Sequence, residues 1–375
     1  MARLGDLCDI LNGYAFKSEQ YVDSGIRIIR IANVQKGYIE DSAPVFYPID
    51  NSEYKKYELK EDDLLLSLTG NVGRVALLEK EFLPAALNQR VACLRIKDET
   101  TLNKSFLFNF LNSDYFENKC IESAKGVAQK NMSTEWLKEY KIPLFSMETQ
   151  EKISKELDQI SNLISLRKQQ LSKLDELVKS RFIEMFGNPV SNDKGWQHQA
   201  MDKVAPSSAG LGDNSETVWL LNLDMVEAQT GRILDYLYVE KEQVGTSTCA
   251  FDEGNVLYSK LRPYLNKVVV PTKKGYCTTE LVPLRPNGKL NRQFLAYLLR
   301  SEAFVSFINE KVAGAKMPRV SMSIFRDFEC ILPSIDLQNE FATFAEQVDK
   351  SKFEIQKSLE KLETLKKALM QKYFG

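Results

Sequence analysis

The sequence predicts an α+β fold: two duplicated α/β domains separated by two long α-helices, which form an antiparallel coiled coil and make the chain pseudo-twofold symmetric. Three observations carry that prediction. The first is an internal repeat. Sliding the 375-residue chain by 188 positions lays 102–187 over 290–375 without a gap, with about 21 identities in 86 positions. Gly126 falls on Gly314, Ser133 on Ser321 and Gln150 on Gln338, and EMFG at 184–187 returns as KYFG at the end of the chain. So long a period lies far beyond solenoid repeats and marks a duplicated domain. The second is a pair of apolar seams at alternating steps of three and four. The third is a set of short aliphatic runs, bounded by Gly, Pro and Asp, ahead of each seam.

The elements follow in order. The first domain, 1–148, carries strand-like runs at 26–34, 63–69, 74–78 and 91–96, then a helical pattern at 103–121. The central helix, 149–187, presents Leu157, Ile160, Ile164, Arg167, Leu171, Leu174, Val178, Arg181 and Met185 on one stripe. That spacing is a coiled-coil seam. Gly187 supplies a C-terminal cap and Pro189 cannot continue the helix, so 188–195 is a linker. The second domain, 196–335, repeats the strand-like runs at 218–226, 256–261, 267–270 and 281–284, with a helical pattern at 291–311. The last helix, 336–375, closes the repeat with Ala345, Val348, Lys352, Ile355, Leu359, Leu362, Lys366, Leu369 and Tyr373.

Charged residues interrupt both seams, never at equivalent positions: Arg167 matches Ile355, and Lys352 matches Ile164. Neither helix makes a uniform seam alone, so the two are read as partners. The alternative is two amphipathic helices, each packed on its own domain; about 38 residues, or roughly 55 Å of helix, is long for one small core to cover.

Composition narrows the function. The formal net charge is −1, which gives no global basic field, so any nucleic-acid footprint must be a local patch. Six cysteines without a CxxC pair, and one histidine, His198, argue against zinc and for a reducing compartment. No 18-residue apolar run or signal peptide is present, which predicts a soluble, cytoplasmic protein with no membrane partner.

Catalytic machinery is missing. No GxxxxGK[ST] loop exists to cradle phosphates, and GLGDNS at 210–215 has serine where a third dinucleotide-binding glycine belongs. GxSxG and HExxH are absent, and one histidine leaves little general-base chemistry. Asp62 and Asp63 begin a strand and read as a solvated turn before a metal site. The chain reads as a binder, without a catalytic or metal site.

Recurring phrases then point to a family. IPLFSMETQEKI at 142–153 is echoed by ILPSIDLQNEF at 331–341, keeping Pro143 and Gln150 in one copy, and Pro333 and Gln338 in the other. GVAQKNMS at 126–133 is echoed by GAKMPRVS at 314–321, LLLSLTGNVGRV at 64–75 by VLYSKLRPYLNKV at 256–268, and GYAFKS stands near the start. In this order, twice, these phrases resemble the specificity (S) subunits of type I restriction–modification systems over essentially the whole chain. Phe145, where proline is common, and the lack of glutamine in the second glycine segment are departures that touch local contacts only.

The resemblance implies two target recognition domains, each reading one half of a bipartite, asymmetric double-stranded DNA sequence. It implies a coiled coil that separates them and docks two methyltransferase (M) subunits, with restriction (R) subunits joining the complex. This chain would bind no cofactor; S-adenosylmethionine would sit on the M subunits, and ATP with Mg2+ on the R subunits. The same module in another defence system, or a two-headed scaffold without DNA binding, are the competing readings.

DNA contact needs Lys, Arg, Asn and Gln on loops. In the first domain the densest such clusters are Thr69, Asn71 and Arg74, and Lys125, Gln129, Lys130 and Asn131. In the second they are Lys260, Arg262, Tyr264, Asn266 and Lys267, and Lys316 and Arg319. Each cluster is read as a DNA-contacting loop, with a solvated loop as the alternative. Tyr14 and Lys17, beside a more core-like Phe16, and Arg90 are weaker candidates.

Overall fold

The computed structural model describes residues 1–49, 53–124, 131–312 and 317–375. The chain divides into two compact units, Met1–Lys168 with Lys357–Gly375, and Gln169–Gln356. The division cuts both long helices, Met147–Phe186 and Ile335–Phe374. Each unit therefore owns one α/β domain and a segment of both helices.

In the first unit an antiparallel sheet runs in the order Cys8–Asn12, Val91–Ile96, Leu64–Ser67, Val75–Leu77. Leu64 to Ser67 are all buried, as are Val91 to Leu94, which is why both strands read as unbroken apolar runs instead of alternating ones. A three-stranded sheet orders Phe46–Tyr47, Ile26–Ile29, Ala85–Leu87, the last two parallel. Helices Lys104–Leu111, Asp114–Ser123 and Thr134–Glu139 follow, capped by the side chains of Asn103, Ser113 and Ser133.

The second unit repeats this plan. Its antiparallel sheet orders Val268–Val269, Val256–Ser259, Leu281–Leu284, beside a mixed sheet of Leu237–Glu240, Thr217–Leu221, Gly275–Thr278 and Thr248–Phe251. Helices Arg292–Arg300, Glu302–Lys311 and Met322–Arg326 are capped by Asn291, Ser301 and Ser321, each 188 residues beyond its counterpart. The single helical patterns expected at 103–121 and 291–311 are thus each two helices. The hydroxyl of Ser113 or Ser301 accepts from the amide of Phe116 or Phe304 and so starts a new helix within each pattern.

The long helices pair antiparallel within each unit. In the first, Tyr373 Oη donates to Glu156 at 2.5 Å and Lys168 pairs with Glu363 at 3.1 Å. In the second, Lys352 meets Asp175 at 2.6 Å and Arg181 meets Glu340 at 3.2 Å. Leu157, Ile160, Val178, Val348, Ile355 and Leu359 are buried, and Ile164, Leu171, Leu174, Leu362 and Leu369 are half-buried. Two independent helices, one per domain, is therefore not the arrangement. Gly187 ends the first helix at φ +73°, its amide donating to Ile183 O at 2.8 Å. A Cβ there would sit 2.1 Å from Asp193 Oδ1, so glycine is required at this cap.

The two FG endings are packing residues. Phe186 lies against Phe294 and Phe341 in the second core, with ring centroids 4.7 and 5.5 Å away. Phe374 lies against Phe106 and Phe110 in the first, at 5.6 and 5.4 Å. No helix among the described residues is long and apolar enough to cross a membrane.

Candidate nucleic-acid interface

In both units the strand 64–67 or 256–259 ends in a loop held between two other segments. In the first, Leu68 N donates to Arg90 O at 3.0 Å and Leu68 O accepts from Met132 N at 2.9 Å, while Thr69 bridges Asn131. In the second, Lys260 N donates to Glu280 O at 3.1 Å, Lys260 O accepts from Val320 N at 2.8 Å, and Leu261 bridges Arg319. Three segments distant in sequence thus form one small platform per unit. Loops pinned by such backbone bonds hold side chains in fixed directions, as sequence readout requires.

On the first platform the loop turns through Gly70 and Gly73, at φ +67° and +86°. A Cβ on Gly73 would come within 2.8 Å of Cys120 Cβ, so only glycine lets the loop lie this close to the helix below. Arg74 N donates to Ser67 Oγ at 3.0 Å, and its guanidinium donates to Gln35 Oε1. With its amide oxygen turned inward, Asn71 accepts from the same guanidinium at 3.3 Å. Gln35 sits on a turn fastened by Lys36 to Asp114 and Glu117, at 2.7 and 2.6 Å.

Arg90 and Asn131 are exposed on this platform. Tyr14 lies alongside, its carbonyl accepting from Gln89 N at 3.0 Å and its hydroxyl donating to Glu53 at 2.9 Å, a bond that raises the phenol pKa. Lys17 is exposed, and Phe16 packs into an aromatic cluster with Tyr47 and Tyr54. The proposed contacts Lys125, Gln129 and Lys130, and Lys316 in the second unit, lie outside the described residues.

On the second platform Pro263–Leu265 forms one tight turn between Arg262 and Asn266, both left-handed at φ 49° and 50°. Arg262, Tyr264 and Arg319 are exposed and Lys260 is half-buried. Asn266 and Lys267 depart from the reading as contact residues, because the fold uses them internally. Asn266 is only 8% exposed and donates to Arg300 O at 2.9 Å. Lys267 Nζ donates to Leu223 O at 2.8 Å, and burial lowers its pKa. Both fix the turn that presents Arg262 and Tyr264.

Sequence reasoning missed three supports of these platforms: Gln35, Gln229 and Glu280. Gln229 holds the turn through Tyr264 O and Leu265 O, each at 2.9 Å. Arg319 pairs with Glu280 through two guanidinium nitrogens, Nε lying 3.2 Å from Oε2. A search for cations and amides passes over an acid, although Glu280 occupies the backbone place of Arg90.

Of the acids at 62 and 63, Asp62 sits exposed on a turn at φ +68°, as expected, whereas Asp63 departs from the solvated reading. Asp63 is 4% exposed and takes both nitrogens of Arg95 at 2.7 Å, while Asp62 pairs with Lys104. No cluster of metal-ligating side chains occurs among the described residues. Burial pushes the Cys8, Cys277 and Cys330 thiols up to about 12, which leaves them unreactive.

The family model for the type I restriction modification DNA specificity domain matches residues 1–176 and 217–367. The chain belongs to that family. Among relatives of this specificity family, the type I restriction enzyme EcoAI specificity subunit of Escherichia coli is 34% identical over 163 residues, 42% of this chain and 27% of the relative. The MjaVIII specificity subunit of Methanocaldococcus jannaschii is 30% identical over 184 residues, 48% of this chain and 43% of its own. These matches span less than half the length of either relative. The putative MjaX specificity subunit of the same archaeon is 24% identical over 389 aligned positions, 94% of this chain and 84% of the relative. In fold, the chain is similar to the S subunit of a type I restriction–modification system from M. genitalium. That likeness has a TM-score of 0.61 at 16% identity and covers 100% and 95% of the two chains. A second solved chain, from work on assembly and conformational transition of the type I R-M system, gives 0.55 at 15%, covering 100% and 96%.

Proposed function

We propose that this chain is the DNA-reading specificity subunit of a type I restriction–modification complex, each unit reading one half of a bipartite, asymmetric duplex target. The observation that carries the reading is the pair of platforms. The same backbone arrangement recurs in both units, yet the exposed side chains differ: Arg90, Asn131 and Asn71 in one, backed by a half-buried Arg74, and Arg262, Tyr264 and Arg319 in the other, backed by a half-buried Glu280. Two rigid frames with unlike donors and acceptors suit two unlike half-sites, since base edges are told apart by their donor and acceptor patterns. Lys17 and Lys260 suit phosphates, which position the protein without specifying sequence.

The chain itself is non-catalytic in this reading. It positions M subunits for adenine methylation and R subunits for ATP-dependent cleavage; S-adenosylmethionine belongs to the former, Mg2+ and ATP to the latter. In this reading two M subunits would dock on the long helices, where Leu163, Leu166 and Leu365 in the first unit and Leu177, Ile183 and Phe353 in the second are exposed.

The test is duplex binding by the chain with its M subunit at several salt concentrations, with the target read from methylated adenines in the host genome. A two-part asymmetric motif and a linear fall of log affinity with log salt are expected. Absence of salt-dependent affinity for any duplex would overturn the reading in favour of a scaffold.

A further inference from the structure

We propose that Glu280 is a positioning residue that fixes Arg319 as a reader of one guanine in the second half-site. This rests on the DNA-reading function argued above and adds to it a named residue pair and a base.

The guanidinium has two useful edges. Its Nε–Nη2 edge is taken by the Glu280 carboxylate, both nitrogens donating. The remaining Nη1–Nη2 edge still offers two parallel N–H groups, the fork that matches guanine O6 and N7 in the major groove. Arg319 is 55% exposed along its side chain and Glu280 23%, so the acid is the sheltered member and the base the presented one. Both are tied into the platform by backbone: Glu280 O accepts from Lys260 N at 3.1 Å, and Arg319 bridges Leu261. An arginine otherwise free to sample many rotamers is thereby aimed before DNA arrives, and a preorganised donor loses less freedom on binding.

The carboxylate does a second thing. It neutralises the cation and sets a negative charge where phosphates of unspecific DNA would approach, which weakens indiscriminate binding. The equivalent places in the first unit hold Arg90 and Asn131, with no acid, so this pairing is private to the second half-site. Asn131, an amide, has the fork that suits adenine N6 and N7 instead.

The experiment uses the complex with M subunits and a set of duplexes carrying every single base-pair change in the second half-site. Arg319→Ala should lose roughly tenfold or more of the preference at a single G·C pair and leave the first half-site untouched. Glu280→Gln should lose most of that same preference and no other, while affinity for unrelated duplex rises a few-fold. Arg319→Lys should not restore the preference, since an ammonium cannot fork. Thermal unfolding should be unchanged in all three, because the backbone bonds of both residues remain.

Unchanged base preference in Glu280→Gln, with Arg319→Ala impaired, overturns the positioning role. Equal loss at every position in Glu280→Gln overturns it too, since that marks a general structural effect. Full preference in Arg319→Ala shows that another residue reads the base. A wild-type complex that prefers no duplex removes the underlying function and this inference together, whereas wild-type preference with an unaltered Glu280→Gln removes the inference alone.

Discussion

The two units differ least where they hold themselves together and most where they face outward. Gln150 and Gln338 show the first. Each is fully buried at the start of a long helix. Gln150 Nε2 donates to Thr101 O at 3.1 Å and Phe145 O at 2.9 Å, and its oxygen accepts from Asn103 N at 2.9 Å. Gln338 makes the same three bonds with Lys289 O, Pro333 O and Asn291 N, at 3.1, 2.9 and 2.9 Å. Asn103 and Asn291 then cap the next helix in both units. Arg90 and Glu280 show the second: one backbone place, opposite charges. Between copies of one domain, sameness marks scaffold and difference marks readout.

The strongest way to break that comparison is to empty the aromatic cores. Phe186→Ala should cost about 4 kcal/mol of stability. Phe374→Ala should cost somewhat less, because Phe374 is 5% exposed where Phe186 is fully buried. Hydrogen exchange locates the damage: at 102–120 for Phe374→Ala, at 290–310 for Phe186→Ala. Equal exposure of both segments in either variant would show that the two cores do not act as separate units.

Next in size are the glutamine clamps. Gln150→Ala or Gln338→Ala leaves two carbonyls and one amide buried without a partner, worth together about 3 kcal/mol. Denaturant unfolding should give similar losses for the two variants, because the three side-chain bonds of each glutamine match. A loss in one and none in the other would break the equivalence.

The platforms should behave oppositely. Arg74→Ala should relax one position of the first half-site by roughly 1–3 kcal/mol and Arg262→Ala should act on the second alone, while unfolding stays within about 0.5 kcal/mol of wild type. Methylation of duplexes altered one half at a time reads this directly. Arg262→Ala that weakens all sequences equally and flattens the salt dependence marks a phosphate contact instead.

Much of the fold was legible because duplication doubles every signal. A strand such as 256–259 is supported by its partner at 64–67, and seams interrupted at different places identify each other. The breaks at Ser113 and Ser301 escaped because the apolar pattern runs on across the cap, which acts through one hydroxyl and not through periodicity. At the site, composition picks out loops that the fold brings together, but not which way their side chains face. Asn266 and Lys267 look like contacts in sequence, yet burial and two carbonyl acceptors, Arg300 O and Leu223 O, draw them inward. Glu280 was invisible for the opposite reason, since its role exists only through Arg319, 39 residues away.

The smallest effect sharpens the comparison inside the coiled coil. Two lysines interrupt the second seam, and the units treat them differently. For Lys352, burial pulls the pKa down, but the hydrogen bond to Asp175 and the charge of Asp349 outweigh it and leave it raised above the usual 10.5. For Lys366, burial dominates; Asp158 offsets it only in part, Lys168 and Lys36 add to it, and the pKa falls. A raised lysine pKa means stabilisation that is complete below 10.5 and lost as pH climbs through the folded value. A lowered one means the reverse: the folded state resists the proton, and stability rises as pH climbs from the folded pKa towards 10.5. At neutral pH, Lys366→Met should therefore stabilise the first unit by roughly 1 kcal/mol, since a buried charge gives way to packing. Lys352→Met should leave the second unit unchanged or weaker by less than about 1 kcal/mol, because it removes a paired charge from a partly exposed acid. Unfolding each variant at pH 7 and pH 10 separates them: the advantage of Lys366→Met should shrink at the higher pH. Shifts of the same sign in both variants would mean that the seam, and not the partner across it, decides what a buried lysine costs.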